Sequence, residues 1–290
     1  MDKTTDNTLT EEEAKRYSRQ ILLAEMSTDA QLKLKHAKVL VIGSGGLGSP
    51  CLTYLAGAGV GTIGIVDNDT VDITNLHRQV MHSTNSHGIP KVESAKRFIE
   101  SLNPNVKVVA YKEMLTNKNG LEIAKEYDII VDCCDNPKTR FLTNDIAVIL
   151  DKPFISGASV RWDGQLSLYV KDAKGNKLPC YRCLNPKPPL KENVKKCAQV
   201  GVMGTIPGVI GVLEANEVIK FIIGANEQLL SRKLLIFDGY DTHFKIMKCR
   251  NYRDDCVVCG TSPEVTKENF AQFDYDEFIN SSCASNIKEL

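Results

Sequence analysis

Two CxxC pairs and one glycine turn hold most of the chemistry legible in this chain. Cys180-Tyr181-Arg182-Cys183 and Cys256-Val257-Val258-Cys259 can each turn two thiolates toward one ion. Together they make a tetrahedral four-cysteine zinc centre; with all four positions taken by protein, no catalytic water fits and the role is structural. A redox dithiol and plain packing are the competing readings of a CxxC. Cys197 stands apart, in Lys195-Lys196-Cys197-Ala198-Gln199 before Gly201. Neighbouring lysines favour the thiolate, the reactive form; an inert loop cysteine is the alternative. Cys51, Cys133, Cys134 and Cys249 read as core or near-core residues and Cys283 as a tail thiol.

The glycine turn is Gly43-Ser44-Gly45-Gly46-Leu47-Gly48. Glycines permit a tight turn and let backbone N–H groups approach a phosphate at the positive end of a helix. Asp67 closes the next strand, where a carboxylate can accept from a ribose hydroxyl. These features indicate a nucleotide but do not separate a dinucleotide from ATP, and a purely structural turn also fits. Asp69, then Asn75-Leu76-His77-Arg78-Gln79, then Lys91 add polar groups that a dinucleotide does not need. A triphosphate does need cations, most of all in the transition state of nucleotidyl transfer. Asp132-Cys133-Cys134-Asp135-Asn136 ends another strand, and Asp135 is suited to Mg2+ there. Each of these residues alone could be surface charge; the ordered set points to a nucleotide site.

The elements that must position these groups follow from the apolar pattern. Strands are expected at Lys38–Ile42, Thr62–Val66, Val106–Tyr111 and Asp128–Asp132. Helices are expected from Thr10 to about Met26, where Thr10 and Glu13 form a capping box, and over Leu47–Val60, Lys91–Leu102, Leu121–Glu126 and Thr139–Leu150. Such alternation predicts an α/β fold, a Rossmann-like, doubly wound, mainly parallel sheet. Beyond it, Phe154–Ser159 and Gln165–Val170 form a hairpin turning at Asp163-Gly164, Val209–Ile223 is helical, and Lys233–Phe237 pairs with His243–Lys248. These add an antiparallel C-terminal extension. Leu178–Gln199, rich in proline and lysine, is expected to be a mobile loop. The organisation is thus one domain over 1–260, with a Rossmann-like half (about 36–150) and a mixed, zinc-bearing half (about 151–260). The net-acidic 261–290 reads as a mobile tail.

Composition narrows the function. The chain has 290 residues, 42% of them hydrophobic, enough for a large core, and a formal net charge of zero. A neutral chain lacks the positive field of a general nucleic-acid binder or of a protein held on anionic lipid. The most apolar stretch, Ile206–Ile223, is interrupted by Glu214, Glu217 and Lys220 and does not read as a membrane span. The polar N-terminus has no signal-peptide core. A cytoplasmic location is expected, where cysteines stay reduced.

Taken in order, these motifs resemble the ThiF/MoeB/HesA family of ubiquitin-activating-enzyme-like adenylyltransferases. The resemblance rests on Arg16-Tyr17-Ser18-Arg19-Gln20, the GSGGLG turn, Asn75–Gln79, Pro90-Lys91, Asp132–Asn136 and both CxxC pairs, and covers about residues 10 to 260. Cys197–Gly224 looks closest to activators of a ubiquitin-related modifier or of the molybdopterin synthase small subunit. The resemblance implies that Gly46, Asp67, Asn75, Arg78, Lys91, Asp135 and Asn136 hold ATP and Mg2+. It implies that Arg19 reaches across a homodimer to the partner's triphosphate, and that Cys180, Cys183, Cys256 and Cys259 hold zinc. Cys197 matches a cysteine that some members use as a thioester or persulfide nucleophile and others dispense with. The implied reaction adenylates the C-terminal Gly-Gly carboxylate of a ubiquitin-like sulfur carrier, for tRNA thiolation or molybdopterin synthesis. Fuller relatives carry a rhodanese-like domain after the second CxxC. The residues after Cys259 are too few for one, so either a separate sulfur donor, a cysteine desulfurase or rhodanese, is expected, or the product is passed on without sulfur. An NAD-dependent Rossmann oxidoreductase and a degenerate scaffold that binds a ubiquitin-like protein are the alternatives.

Overall fold

The computed structural model describes residues 8–171, 175–189 and 200–281. An eight-stranded sheet runs through the molecule in the order β3-β2-β1-β4-β5-β6-β7-β8. The strands are β1 Lys38–Ile42, β2 Thr62–Val66, β3 Lys107–Tyr111, β4 Ile129–Asp132, β5 Phe154–Val160, β6 Asp163–Tyr169, β7 Lys233–Asp238 and β8 His243–Lys248. The first five pair in parallel and the last three antiparallel. β1 pairs with both β2 and β4. The strand order therefore reverses at β1/β4, where open α/β sheets bind ligands beyond the strands' carboxyl ends.

Alternation along β1 divides the core in two. Val39 and Val41 face one layer with Leu52, Leu55, Ile99 and Ile210. Leu40 and Ile42 face the other with Phe141, Ile146, Phe154 and all four cysteines of the CxxC pairs. Successive side chains of a strand point to opposite faces, so covering both makes the whole strand apolar. The first layer is built by helices α3 Thr28–His36, α4 Gly48–Ala58, α5 Lys91–Leu102 and the long helix Thr205–Ile223. The second contains α6 Gly120–Ala124, α7 Pro137–Ile149, the short α8 Tyr181–Leu184 and the C-terminal helix Tyr275–Ser281.

Four expectations are corrected. The single N-terminal helix is instead α1 Glu11–Arg16 and α2 Ser18–Ile21, followed by α3. The capping box at Thr10 is present, but the helix breaks at Tyr17, whose buried phenol accepts from Asn103 Nδ2 at 2.9 Å and pins the chain to the core. The β5–β6 hairpin turns at Arg161-Trp162, with Arg161 at φ 55°. Gly164 instead lies within β6, where a Cβ would come 2.5 Å from Ile210 Cγ1; close helix packing, not a turn, requires that glycine. The Leu178–Gln199 stretch contains α8 and two buried cysteines; 190–199 lies outside the described residues.

Residues 261–281 are not a solvated tail. Val265, Phe270 and Tyr275 are buried, and apolar contact outweighs the segment's net acidity. Its remainder, 282–290, including Cys283, lies outside the described residues.

Candidate active site

β1 ends in the glycine turn. Gly43 adopts φ +95°, and a Cβ there would lie 2.9 Å from the Cys133 carbonyl. Only glycine meets both conditions. Gly43, Gly45 and Gly46 line a cleft at the β1/β4 switch, together with Asp67, Asp69, Arg78, Lys91, Asp135 and Asn136. Gly48, the first residue of α4, is packed against the Gly43 carbonyl instead. Val66, Met114 and Leu115 give the cleft an apolar wall.

The acids of this cleft do different work. Asp67 Oδ2 accepts from Ser44 N at 2.8 Å and Ser44 Oγ at 3.0 Å, and Oδ1 from Asp69 N at 2.9 Å. It braces the turn and retains lone-pair capacity for one more donor. Asp69 Oδ2 receives Lys91 Nζ at 2.8 Å. Asp135 is exposed, and its carboxylate has no partner among the described residues. Asn136 caps α7, with Oδ1 accepting from Thr139 N at 2.8 Å, which leaves its amide N–H groups available.

The cations are held more tightly. Lys91 is 4% exposed and is the first residue of α5. An ammonium at a helix N-terminus adds to the positive end of the helix dipole, an arrangement that costs stability and suits an anion. Arg78 Nη2 donates to Asn75 Oδ1 at 2.6 Å, and Nη1 lies 2.8 Å from His77 Nε2. Asn75 does not line the cleft; it orients Arg78.

Arg19 stands elsewhere. Gln20 Nε2 and Gln31 Nε2 both donate to the Ala58 carbonyl at 3.0 Å, fixing α2 to the C-terminal end of α4. Arg16 Nη1 donates to the Leu102 carbonyl at 3.0 Å, at the C-terminal end of α5. The glycine turn and Lys91 lie at the opposite ends of these two helices. At 1.5 Å per residue, helix α4 is about 16 Å long, so exposed Arg19 does not line its own cleft. Cys197 lies outside the described residues.

Several working residues escaped the sequence reading. Arg140 lines the cleft, with Nε on Asp132 Oδ2 at 2.7 Å and Nη2 on the carbonyls of Cys134 (3.1 Å) and Gly157 (2.8 Å). Burial works most strongly against its charge, but Asp132 together with Cys134 and Tyr181 more than offsets it, and its pKa rises. Asp132 is fully buried and also accepts from Ser156 Oγ at 2.8 Å. A cation two turns past an acid-rich strand end was the available signal. Beneath the floor, Cys133 Sγ donates to Glu214 Oε2 at 3.4 Å beside Cys51. Burial raises the pKa of Cys133 and Glu214, keeping both protonated.

Within the second layer of the core the two CxxC pairs converge. Cys180 Sγ lies 4.0 Å from Cys183 Sγ and 3.7 Å from Cys256 Sγ, and Cys183 Sγ lies 3.4 Å from Cys259 Sγ. All four are buried. Zn–S bonds of about 2.3 Å in a tetrahedron place sulfurs about 3.8 Å apart, so the set fits a closed four-cysteine zinc centre. Arg182, between the first pair, donates from Nη2 to Asp145 Oδ2 at 2.6 Å, with both groups fully buried. The Phe141, Phe273 and Phe278 rings surround its guanidinium, with centroids 5.1, 5.3 and 4.3 Å away. Tyr275 Oη donates to Asp145 Oδ2 at 2.7 Å.

Comparison with known proteins gives one answer at three levels. Residues 17–258 match the ThiF family. The adenylyltransferase and sulfurtransferase MOCS3 of Culex quinquefasciatus is 48% identical over 97% of this chain and 62% of its own length. The adenylyltransferase and sulfurtransferase UBA4 of Debaryomyces hansenii is 46% identical over 94% of this chain and 61% of its own length. The chain thus spans about three fifths of the length of these curated relatives. Escherichia coli MccB, solved with AMPCPP and MccA, superimposes with a TM-score of 0.73 at 29% identity, covering 88% of this chain and 76% of that one. With the glycine turn, the strand-order reversal at β1/β4 and the first CxxC knuckle inside the matched span, which ends within the second knuckle, the chain belongs to the ThiF family.

Proposed function

We propose that this chain is an ATP-dependent adenylyltransferase acting on the C-terminal glycine of a ubiquitin-like sulfur carrier. The carrier's carboxylate attacks the α-phosphate of ATP; the α–β phosphoanhydride bond breaks, giving an acyl-adenylate and pyrophosphate. The nucleophile is already an anion, so no side-chain base is required. The obstacle is the approach of one anion to another, and cations held at the site lower it. The observation that carries this reading is that Lys91 and Arg78 line one cleft with the glycine turn and with Asp135, whose carboxylate has no partner among the described residues.

The proposed residue roles are these. The turn's N–H groups and Lys91 receive the phosphates, with Asp69 yielding Lys91 to the nucleotide. Asp67 takes a ribose hydroxyl, and the Val66–Leu115 wall takes the base. Asp135 would hold Mg2+, which neutralises phosphate charge when bound. Cys180, Cys183, Cys256 and Cys259 would hold structural zinc. Arg19 of one protomer serves the cleft of its partner in a homodimer, as its distance from its own cleft favours. Cys197 attacks the acyl-adenylate and displaces AMP, either as a thiolate, giving a thioester with the carrier, or as a persulfide already loaded with sulfane sulfur by the donor, giving an acyl disulfide. Sulfur comes from a cysteine desulfurase or a rhodanese, in the cytoplasm, for tRNA thiolation or molybdopterin synthesis. The MOCS3 and UBA4 relatives, adenylyltransferases and sulfurtransferases by name, support this direction.

The test is carrier-dependent exchange of labelled pyrophosphate into ATP. Loss of either cation is expected to cost about 100-fold or more, the scale of one transition-state contact. Near-normal exchange in both Lys91→Ala and Arg78→Ala refutes the assignment, as does preferential binding of NAD over ATP.

A further inference from the structure

His82 has no part in the chemistry above, yet its buried ring, 6% exposed, bridges two elements of the cleft. Nε2 lies 3.0 Å from the Ser44 carbonyl oxygen, inside the glycine turn. Nδ1 lies 2.9 Å from Ser94 Oγ, one turn along α5 from Lys91. A carbonyl oxygen only accepts, so Nε2 carries the hydrogen; in the neutral ring Nδ1 then accepts from the Ser94 hydroxyl. The charged groups facing the ring are Lys91 on α5 and Asp67 at the end of β2. Burial, with Lys91 adding to it, lowers the imidazole pKa against the opposing pull of the Ser44 carbonyl and Asp67.

This bridge completes the fixing of Ser44. Asp67 receives its N–H and hydroxyl, and His82 donates to its carbonyl. In a planar trans peptide the next N–H points opposite to that carbonyl. Holding the Ser44 oxygen toward α5 therefore sets the direction of the N–H of Gly45, a residue that lines the cleft.

We propose that His82 is a positioning residue of the nucleotide site. In its neutral, Nε2-protonated form it clamps the glycine turn to α5 and so fixes the turn's N–H groups relative to the Lys91 ammonium. The proposal rests on the nucleotide reading above and adds to it a tautomer and a pH dependence. Protonation at Nδ1 removes the acceptor for Ser94 and sets a buried positive charge against Lys91, which drives the ring out of the bridge; the turn is released, and ATP binding weakens despite the added charge.

The experiment is calorimetric titration of the full chain with ATP–Mg2+ at pH 7.5 and 5.5, for wild type, His82→Ala, His82→Gln and Ser94→Ala. Loss of a buried hydrogen bond is worth about a tenfold change in affinity, so His82→Ala is expected to bind about 10-fold more weakly at pH 7.5. Gln carries an N–H near the Nε2 position and is expected to recover affinity to within about 3-fold of wild type. Ser94→Ala is expected to lose about 3-fold. Between pH 7.5 and 5.5 the wild type should lose more affinity than His82→Gln, a comparison that cancels the titration of ATP itself. Nitrogen-15 NMR of the ring reads the tautomer without nucleotide and stands even if His82→Ala fails to fold. A charged ring or an Nδ1-protonated tautomer at pH 7 overturns the proposal. So does a His82→Gln protein that melts like wild type but binds no better than folded His82→Ala. If wild type binds no ATP while its ring is neutral at Nδ1, the nucleotide reading fails and the clamp loses its role with it.

Discussion

The four-cysteine cluster and the cleft at the strand switch treat their charges in opposite ways. Around the four-cysteine cluster, Arg182 has its carboxylate, Asp145 has the Tyr275 hydroxyl, and three aromatic rings shut out water. At the strand switch, Lys91 sits against the positive end of α5 with exposed Asp69 as its salt-bridge partner, and Asp135 has none among the described residues. In the first region the ion pair is closed within the chain and only Arg182 Nη1 among its buried polar atoms lacks a hydrogen-bond partner among the described residues. The second is left with charge to offer, which costs stability and creates a place for a ligand. A site can be told from a structural knot by which of its charges the fold has already neutralised.

That contrast can be broken in several ways. The largest effect is expected from the zinc knuckle. Chelation or Cys256→Ser should release one zinc per chain and lower the melting temperature by more than about 10 °C, because a structural zinc site contributes folding energy directly. Atomic absorption with calorimetry checks this, and an unchanged melt without metal release removes zinc from the account. Next is Asp145→Ala, which strands the buried Arg182 guanidinium and should cost about 3–5 kcal/mol in a denaturant titration.

Lys91→Ala should behave in the opposite sense. It forfeits about 100-fold in pyrophosphate exchange, yet its melting temperature should hold or rise, since an ammonium leaves a helix N-terminus. A Lys91→Ala protein that melts well below wild type would place Lys91 with the structural charges. Tyr275→Phe is milder, removing one hydrogen bond to a charged group for about 1.5–3 kcal/mol of stability, with exchange unaffected.

A last prediction concerns pH. Burial raises the pKa of Glu214, so the folded protein holds its proton where the unfolded chain has released it. The stabilisation is fully present below the ordinary carboxylate range and is lost as pH rises toward the folded value. Glu214→Gln should therefore gain stability over wild type at pH 8, with the gain shrinking toward pH 4. A gain that does not depend on pH would show that Glu214 is not held protonated.

Much of this was written locally. The β-branched runs, the glycine turn and the CxxC spacing depend on contacts within a few residues, so β1, β2, β4 and the four-cysteine set were readable in the chain. The capping box at Thr10 was equally local, and it started its helix where expected. What local pattern could not supply was any feature decided by a distant contact. Tyr17 ends a helix because of Asn103, and Gly164 exists for Ile210 rather than for a turn. Phe273 and Phe278 read as residues of an acidic tail until Arg182 gives them a cation to enclose. His82 was invisible because an isolated histidine in a loop has no period or spacing, and its meaning lies in two partners from different elements. Sequence by itself determined which strands form and which groups can bind. The tertiary structure decided which of those groups are already neutralised, because charge compensation depends on distance in space and not on distance along the chain.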